Sequence, residues 1–321
     1  RTRVVYGRLW RYVTPHKLVG FVANRAHHAD IGASSPGSMP VSRTLEEEGL
    51  VIPPGHLLRH GELVTQRLES ITAATANPLQ MEGDLAAQIS ANRTGVVRIQ
   101  ELIETLGVAA YTNGLDALND YGERMARAAL ARLPQGVYRF TDCMDDDGQG
   151  GRDIPLQVAI SVTAEAVSID FAGTAAQVAG NINCPLSVAA AAVFYVFRCL
   201  MDERTPACAG SFRCLQISAP EGCLLNARPP AAVAAGNVET SSRVVDVILG
   251  ALAQAIPERV AAASQGTMNN LAMGARGAAA SAEAADVVEQ SRELGVAEDR
   301  CEVGRCRDGH GLGAVEAGLE L

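Results

Sequence analysis

Aromatic residues, lysine and long apolar runs are scarce in this chain. Only 4% of its 321 residues are aromatic, and Lys17 is the only lysine, so arginine carries almost all of the positive charge. The formal net charge of −9 gives no support for binding to nucleic acid or to an anionic membrane surface. No apolar run approaches the roughly 18 residues of a membrane-spanning helix. We therefore expect neither nucleic-acid nor membrane partners.

The eight cysteines contain no Cys-x-x-Cys pair and no spacing typical of a zinc ribbon or a small disulfide scaffold. We expect most of them to be reduced thiols of a cytoplasmic protein, with several of them buried. Cys184 precedes a predicted helix, where the pKa of a thiol can fall. It is either a nucleophile or a buried structural thiol, and the absence of a histidine nearby in the sequence favours the second interpretation.

Apolar periodicity predicts a helical segment at about 61–133. Apolar side chains recur there at steps of three and four residues, Gly107 is a plausible helix end, and a second helix runs from about Thr112 to Leu133. Hydrophobic residues make up 48% of the chain, which is enough for a sizeable core in two domains or in one large one.

The following part of the chain reads as strands and two further helices. Residues 137–142, 154–162 and 167–171 alternate with a period of two, which favours an antiparallel meander with the acidic run Asp145–Asp147 in a solvated hairpin turn. Apolar helices are predicted from Leu186, opened by Pro185, to Leu200 and from Val244 to Ile256. The predicted fold class is α+β with mixed or antiparallel sheets.

Four regions follow from these patterns. They are a strand and loop region at 1–60, a helical segment at 61–135, a mixed α/β region at 136–271 and an atypical tail at 272–321. Residues 274–321 contain no Phe, Trp or Tyr. We expect this tail not to form part of the core.

Two histidines and an aspartate lie close together after a predicted strand that runs from Leu18 to Ala23. If the strand continues, His28 and Asp30 share one face and His27 points to the other. If the strand ends at Ala26, both histidines can converge. Imidazole and carboxylate suit Zn, Mn or Fe(II), with further ligands supplied from elsewhere. A structural His–Asp pair is the alternative.

Two polar loops are candidate substrate sites. Asn237, Glu239 and Thr240 follow a glycine before a predicted helix, whose N-terminus suits an anionic group; helix capping by Thr240 or Ser241 is the alternative. A second loop suits hydrogen bonds to an amide or carboxylate, unless it is an ordinary polar turn. Its candidate binding residues are Ser264, Gln265 and Asn269.

Collinear motifs between about Leu18 and Leu271 resemble the hydantoinase B/oxoprolinase family. The motifs are Asn24–Gly32, Ser35–Pro40, Glu48–Pro54, Asp84–Asn92, Asp170–Thr174, Asn183–Ser187, Pro220–Gly222, Asn226–Pro230, Gly236–Thr240 and Ala263–Asn270. The family includes one half of ATP-dependent hydantoinases and 5-oxoprolinases and the metal-bearing subunit of acetone-type carboxylases.

The resemblance implies a B-type subunit that acts on a cyclic amide with a hydantoinase A-type ATPase as its partner. The partner would use ATP to phosphorylate the substrate, and this chain would complete the hydrolysis at a divalent metal (Mn, Zn or Fe). His27, His28 and Asp30 are the implied metal ligands, with Asp30 and Glu239 as candidate catalytic groups. The alternatives are a subunit of a carboxylase that acts on a ketone, or a catalytically defective chain with an assembly role.

The sequence also departs from the family pattern. A His-x-x-Asp motif is expected just before Val13-Thr14-Pro15, and residues 1–10 do not contain it. The aromatic-containing segment expected after Leu271 is also absent. Truncation or a shifted reading frame at both ends is the hypothesis that explains the two departures, and resequencing the locus would test it.

Overall fold

A computed structural model describes residues 2–9, 19–28, 30–33, 40–263 and 266, with the backbone alone for residues 2–9. The predicted tail at 272–321 lies outside these residues. The first two strands, β1 (Thr2–Leu9) and β2 (Gly20–His27), form an antiparallel pair in which Thr2 is opposite His27. Side-chain exposure alternates along β2, so one face of the strand is turned inward.

A short hairpin lies at the start of the segment that the apolar periodicity assigns to helix. Its strands are β3 (Leu58–Arg59) and β4 (Glu62–Leu63). The φ angles of His60 and Gly61 are 56° and 90°, values that a two-residue hairpin turn of type I′ requires. The helical segment predicted at about 61–133 therefore begins at Thr65, because local turn geometry prevails over the apolar spacing at residues 61–63.

Three helices fill the rest of this segment. They are α1 (Thr65–Thr72), α2 (Pro78–Leu106) and α3 (Val108–Leu130). The side chain of Asn77 accepts a hydrogen bond from the backbone N–H of Gln80, and Pro78 occupies the first turn, so α2 has a well-defined start. Gly107 adopts a φ of 78° and separates α2 from α3, which confirms it as a helix end.

The larger sheet has the strand order β5-β6-β7-β8. β5 (Gly136–Asp146), β6 (Arg152–Val162) and β7 (Val167–Asp170) form the predicted antiparallel meander. β8 (Leu215–Ser218) runs parallel to β7, because the chain passes through α4 (Leu186–Leu200) between them. Pro185 is the residue before α4 rather than its first helical residue.

The main apolar core lies between this sheet, α4 and α5 (Ser241–Leu252). β6 shows why: Ile154, Leu156, Val158, Ile160 and Val162 are all buried, as the period of two predicts. A separate small cluster is formed by Ile31, Ile71, Met81 and Leu85. No helix among the described residues has the length and apolar character needed to cross a membrane.

Candidate functional site

His28 follows β2 directly and is buried against α2. Its Nε2 lies 3.0 Å from Oε1 of Gln88, and its Nδ1 lies 3.6 Å from Oδ2 of Asp84. The imidazole side chain is fully buried, whereas the Asp84 side chain is 44% exposed. A buried ring nitrogen therefore lies next to a carboxylate that solvent can reach.

Regular spacing on both elements produces this contact. Asp84, Gln88 and Asn92 are four residues apart and share one face of α2. Asn24 lies four residues before His28 on β2, and it hydrogen-bonds to both Gln88 and Asn92. We call these five side chains the polar ladder.

Gly95 lies beyond the ladder on α2 and lets the helix approach the strand closely. A Cβ at this position would lie 2.6 Å from Cγ1 of Val22. The absence of a side chain at Gly95 thus allows the short distance between α2 and β2 that the polar ladder requires. Sequence reasoning missed Asp84 and Gln88 as site residues, although their four-residue spacing on a predicted helix was a usable signal.

The other two implied metal ligands have different surroundings. His27 is the last residue of β2 and is exposed, whereas His28 is buried, in keeping with the alternation expected of a strand. The carboxylate of Asp30 accepts hydrogen bonds from the backbone N–H of Gly32 at 2.7 Å and of Ala76 at 2.5 Å. Asp30 therefore joins the loop after β2 to the turn between α1 and α2.

The described residues fit part of a divalent-metal site. His28 and Asp84 combine imidazole and carboxylate, the donor types that suit Zn, Mn or Fe(II). In the part of the chain that the structure describes, no three His, Cys, Asp or Glu side chains are grouped so that they could hold a metal ion together. A complete set of three or four ligands would need donors from beyond this part.

The predicted substrate loop before α5 contains a single π-helical turn, Gly236–Thr240, a feature often found at functional sites. Asn237 is exposed and Glu239 is half-buried. Thr240 is buried, and its hydroxyl donates to the backbone carbonyl of Ile182. No side chain caps α5, so the capping interpretation of Thr240 or Ser241 is wrong, and Thr240 anchors the turn.

Asn183 fixes the loop against which this turn lies. Its amide donates to the carbonyls of Val178, Gly180 and Ala232, and its oxygen accepts from the N–H of Val178. A Cβ on Gly236 would lie 2.2 Å from the carbonyl oxygen of Asn183, so only glycine permits this approach.

Glu48 is a buried carboxylate that sequence reasoning did not single out. Its Oε1 accepts hydrogen bonds from Oγ of Ser42 at 2.8 Å and from the N–H groups of Val233 and Ala234 at 2.8 and 2.7 Å. Two residues further on, the N–H of Leu50 donates to the carbonyl of Ile31. The segment at 40–50 therefore joins the residues after His28 to the loop that precedes Asn237.

The remaining predicted sites have separate outcomes. Ser264, Gln265 and Asn269 lie outside the described residues. Burial, with a smaller contribution from Cys223, raises the pKa of Cys184 to about 12, which favours the structural thiol over the nucleophile.

The acidic hairpin turn is present, but Asp147 is buried and accepts hydrogen bonds from the N–H groups of Gln149 and Gly151.

A family model described as hydantoinase B/oxoprolinase matches residues 9–317. The chain belongs to the hydantoinase B/oxoprolinase family. Among curated relatives, 5-oxoprolinase 1 of Arabidopsis thaliana is 35% identical over 285 residues, covering 80% of this chain and 22% of the relative. The putative B-type component of a D-/L-hydantoinase from a Pseudomonas species is 31% identical over 259 residues, covering 77% of this chain and 44% of the relative.

The fold of this hydantoinase B/oxoprolinase chain is shared with a solved structure. The ATP-dependent caprolactamase from Pseudomonas jessenii superposes with a TM-score of 0.71 at 24% identity, covering 80% of this chain and 44% of that one. The chain thus spans less than half the length of each of these three proteins. Two of the motifs behind the family resemblance, Asn24–Gly32 and Asp84–Asn92, are the two that form the polar ladder.

Proposed function

We propose that the chain is the B-type part of an ATP-dependent cyclic-amide hydrolase. The observation that carries this proposal is the family match over 9–317, together with the buried His28 facing Asp84 where two family motifs meet. The relatives named as a 5-oxoprolinase and as a hydantoinase component support a cyclic amide as substrate. The solved relative named an ATP-dependent caprolactamase supports the use of ATP.

In this proposal, ATP is used by a separate hydantoinase A-type subunit, and water opens the activated ring on this chain. A divalent cation, when bound, would polarise a carbonyl or lower the pKa of a bound water. His28 supplies a buried ring nitrogen for it. Asp30 holds the loop after β2 in shape through two backbone N–H groups, so we assign it a positioning role beside any catalytic one.

The loop before α5 is the proposed substrate side. Asn237 is exposed and Glu239 is half-buried on the π-helical turn, where side chains reach a ligand while the backbone is fixed by Thr240. Glu48 accepts hydrogen bonds from Val233 and Ala234 just before this turn, and Leu50 in the same segment as Glu48 donates to Ile31 after His28. The segment at 40–50 therefore has hydrogen bonds to the neighbourhood of both groups of candidate residues.

Reconstitution with an A-type subunit tests the proposal. The two chains are co-purified and supplied with ATP. Hydantoin, 5-oxoproline, caprolactam and a ketone with bicarbonate are each offered, and product and ADP are measured. We expect ADP and opened product in equal amounts, and loss of both in His28→Ala. The exposed His56→Ala is the matched control and should retain activity.

The other outcomes of this experiment separate the alternatives. Turnover of a ketone with bicarbonate, and none of the cyclic amides, would replace the hydrolase by a carboxylase. A stable complex that hydrolyses none of these substrates would leave the chain with an assembly role.

A further inference from the structure

A surface pocket of about 370 Å³ lies where the β3–β4 hairpin meets the start of α1. Arg59 lines it from the hairpin, and Arg67 lines it from the helix. Within the part of the chain that the structure describes, no aspartate or glutamate lines this pocket. In a chain with a net charge of −9, the pocket is therefore a local concentration of positive charge.

The guanidinium group of Arg67 is held in place by the backbone beside it. It donates a hydrogen bond to the carbonyl of Pro53, and it lies directly against Gly55. A Cβ on Gly55 would lie 2.9 Å from Nη2 of Arg67 and 3.1 Å from Cζ, so a glycine is needed for this contact. A guanidinium group has five N–H donors, and the bond to Pro53 leaves most of them for a ligand.

The walls of the pocket are fixed as well. The backbone N–H of Val64 donates to the carbonyl of Leu57 at 2.9 Å, which joins the segment before the hairpin to the residue before α1. Leu57 and Leu68, the residue after Arg67, pack against the small apolar cluster. The pocket is therefore formed before a ligand enters, and binding does not have to order these segments.

The positive charges of the pocket are not neutralised by ion pairs. Glu62 is opposite Arg59 in the register of the hairpin, but among the described residues neither Arg59 nor Arg67 forms an ion pair with a carboxylate. Gln66 lines the pocket from the first turn of α1, where no side chain caps the helix. The positive end of the helix dipole adds to the charge at this point.

We propose that this pocket binds the phosphate group of a small organic phosphate. Two guanidinium groups match the charge of a phosphate dianion, and each can bind its oxygens in bidentate fashion. Backbone N–H groups at a helix start are further donors of the kind that bind phosphate. A phosphate ion alone fills only a part of 370 Å³, so the pocket has room for an organic group. The inference goes beyond the proposed function and depends on neither a metal nor a cyclic amide.

Calorimetric titration of the full 321-residue chain tests the site, with phenyl phosphate, inorganic phosphate and benzoate as the probes. We expect saturable binding of phenyl phosphate, weaker binding of inorganic phosphate and the weakest binding of benzoate. Arg59→Gln should weaken the binding of phenyl phosphate by roughly 10- to 100-fold, the usual effect of losing hydrogen bonds to a charged group. Arg98→Gln removes the same charge from an exposed position of α2 outside the pocket and should bind like the unmodified chain.

Gly55→Ala tests the position of Arg67 while every charge is retained. The φ angle of Gly55 lies outside the left-handed region, so alanine can adopt this backbone and its methyl group must displace the guanidinium group. We expect phenyl phosphate to bind about 10-fold more weakly. Arg67→Lys retains the charge without the planar fork and should bind more weakly than the unmodified chain but more tightly than Arg67→Gln. Circular dichroism of each variant checks that it is folded.

Four results would overturn the inference. The first is the absence of saturable binding of phenyl phosphate in the millimolar range. The second is an equal loss of affinity in Arg98→Gln and Arg59→Gln, which would indicate attraction by the overall charge alone. The third is unchanged affinity in both Arg59→Gln and Gly55→Ala. The fourth is tighter binding of benzoate than of phenyl phosphate, which would replace the phosphate group by a carboxylate.

Discussion

The sheet region and the polar ladder are held together by different forces. Between the four-stranded sheet, α4 and α5, the contacts are almost entirely apolar, and many side chains are completely buried. Between β2 and α2, hydrogen bonds among amides, an imidazole and a carboxylate take their place. The first region tolerates exchange of one apolar side chain for another, whereas the second depends on the identity and orientation of each polar group.

The largest effect is expected in the apolar region. Phe197→Ala removes a fully buried ring of α4 and should lower the free energy of unfolding by about 3–5 kcal/mol, because transfer and cavity terms add. Urea denaturation followed by circular dichroism measures it. Tyr195→Ala, on the same helix with 62% exposure, should change stability by less than about 0.5 kcal/mol. Equal losses in the two variants would show that α4 does not cover the sheet.

A smaller loss of stability is expected at Glu48, the buried carboxylate that joins the segment at 40–50 to the loop before Asn237. Glu48→Ala leaves the N–H groups of Val233 and Ala234 without their acceptor and should cost about 3 kcal/mol. Glu48→Gln retains an oxygen at the same place and should lose less. Glu46→Ala, at an exposed position in the same turn, is the control in the same denaturation experiment. An unchanged free energy of unfolding in Glu48→Ala would show that these hydrogen bonds do not stabilise the contact between the segment at 40–50 and the loop before Asn237.

Because α2 lies close to β2 at Gly95, the substitution Gly95→Ala should lower the free energy of unfolding by about 1 kcal/mol. The added methyl group meets Val22, a stiff β-branched side chain, and this overpacking exceeds the gain in helix propensity. Val22→Ala in the same chain should relieve the contact, so a double-mutant cycle should give a coupling of about 1 kcal/mol. Additive effects of the two substitutions would contradict a contact between Gly95 and Val22.

The two regions also differ in how far the sequence predicts them. The alternation along β6 and the apolar stretch of α4 are local patterns, so the meander and the helix could be predicted from neighbouring residues alone. The contact of His28 with Gln88 spans 60 residues. The four-residue spacing of Asp84 and Gln88 indicates a polar face of a helix, but it does not say which strand that face meets.

The role of Asp30 shows the same limit. Its position after two histidines predicts a ligand, but its carboxylate lies against the N–H groups of Gly32 and Ala76. The second of these contacts spans 46 residues and depends on the turn between α1 and α2. Composition and spacing therefore identify the types of groups in a site, and long-range packing decides which atoms face one another.

The smallest perturbation is expected from chemical labelling, which compares the reactivity of two cysteine thiols in the apolar region. Burial raises the pKa of Cys184 to about 12, so its thiolate fraction near pH 8 is on the order of a thousandfold below that of an ordinary exposed thiol. Cys199 is exposed on α4 and should react with iodoacetamide in the native chain, whereas Cys184 should react only after unfolding in urea. Peptide mass spectrometry measures both sites in one sample. Native labelling of Cys184 at the rate of Cys199 would show that the loop fixed by Asn183 opens to solvent, and the apolar region would then lack the closed packing that distinguishes it from the polar ladder.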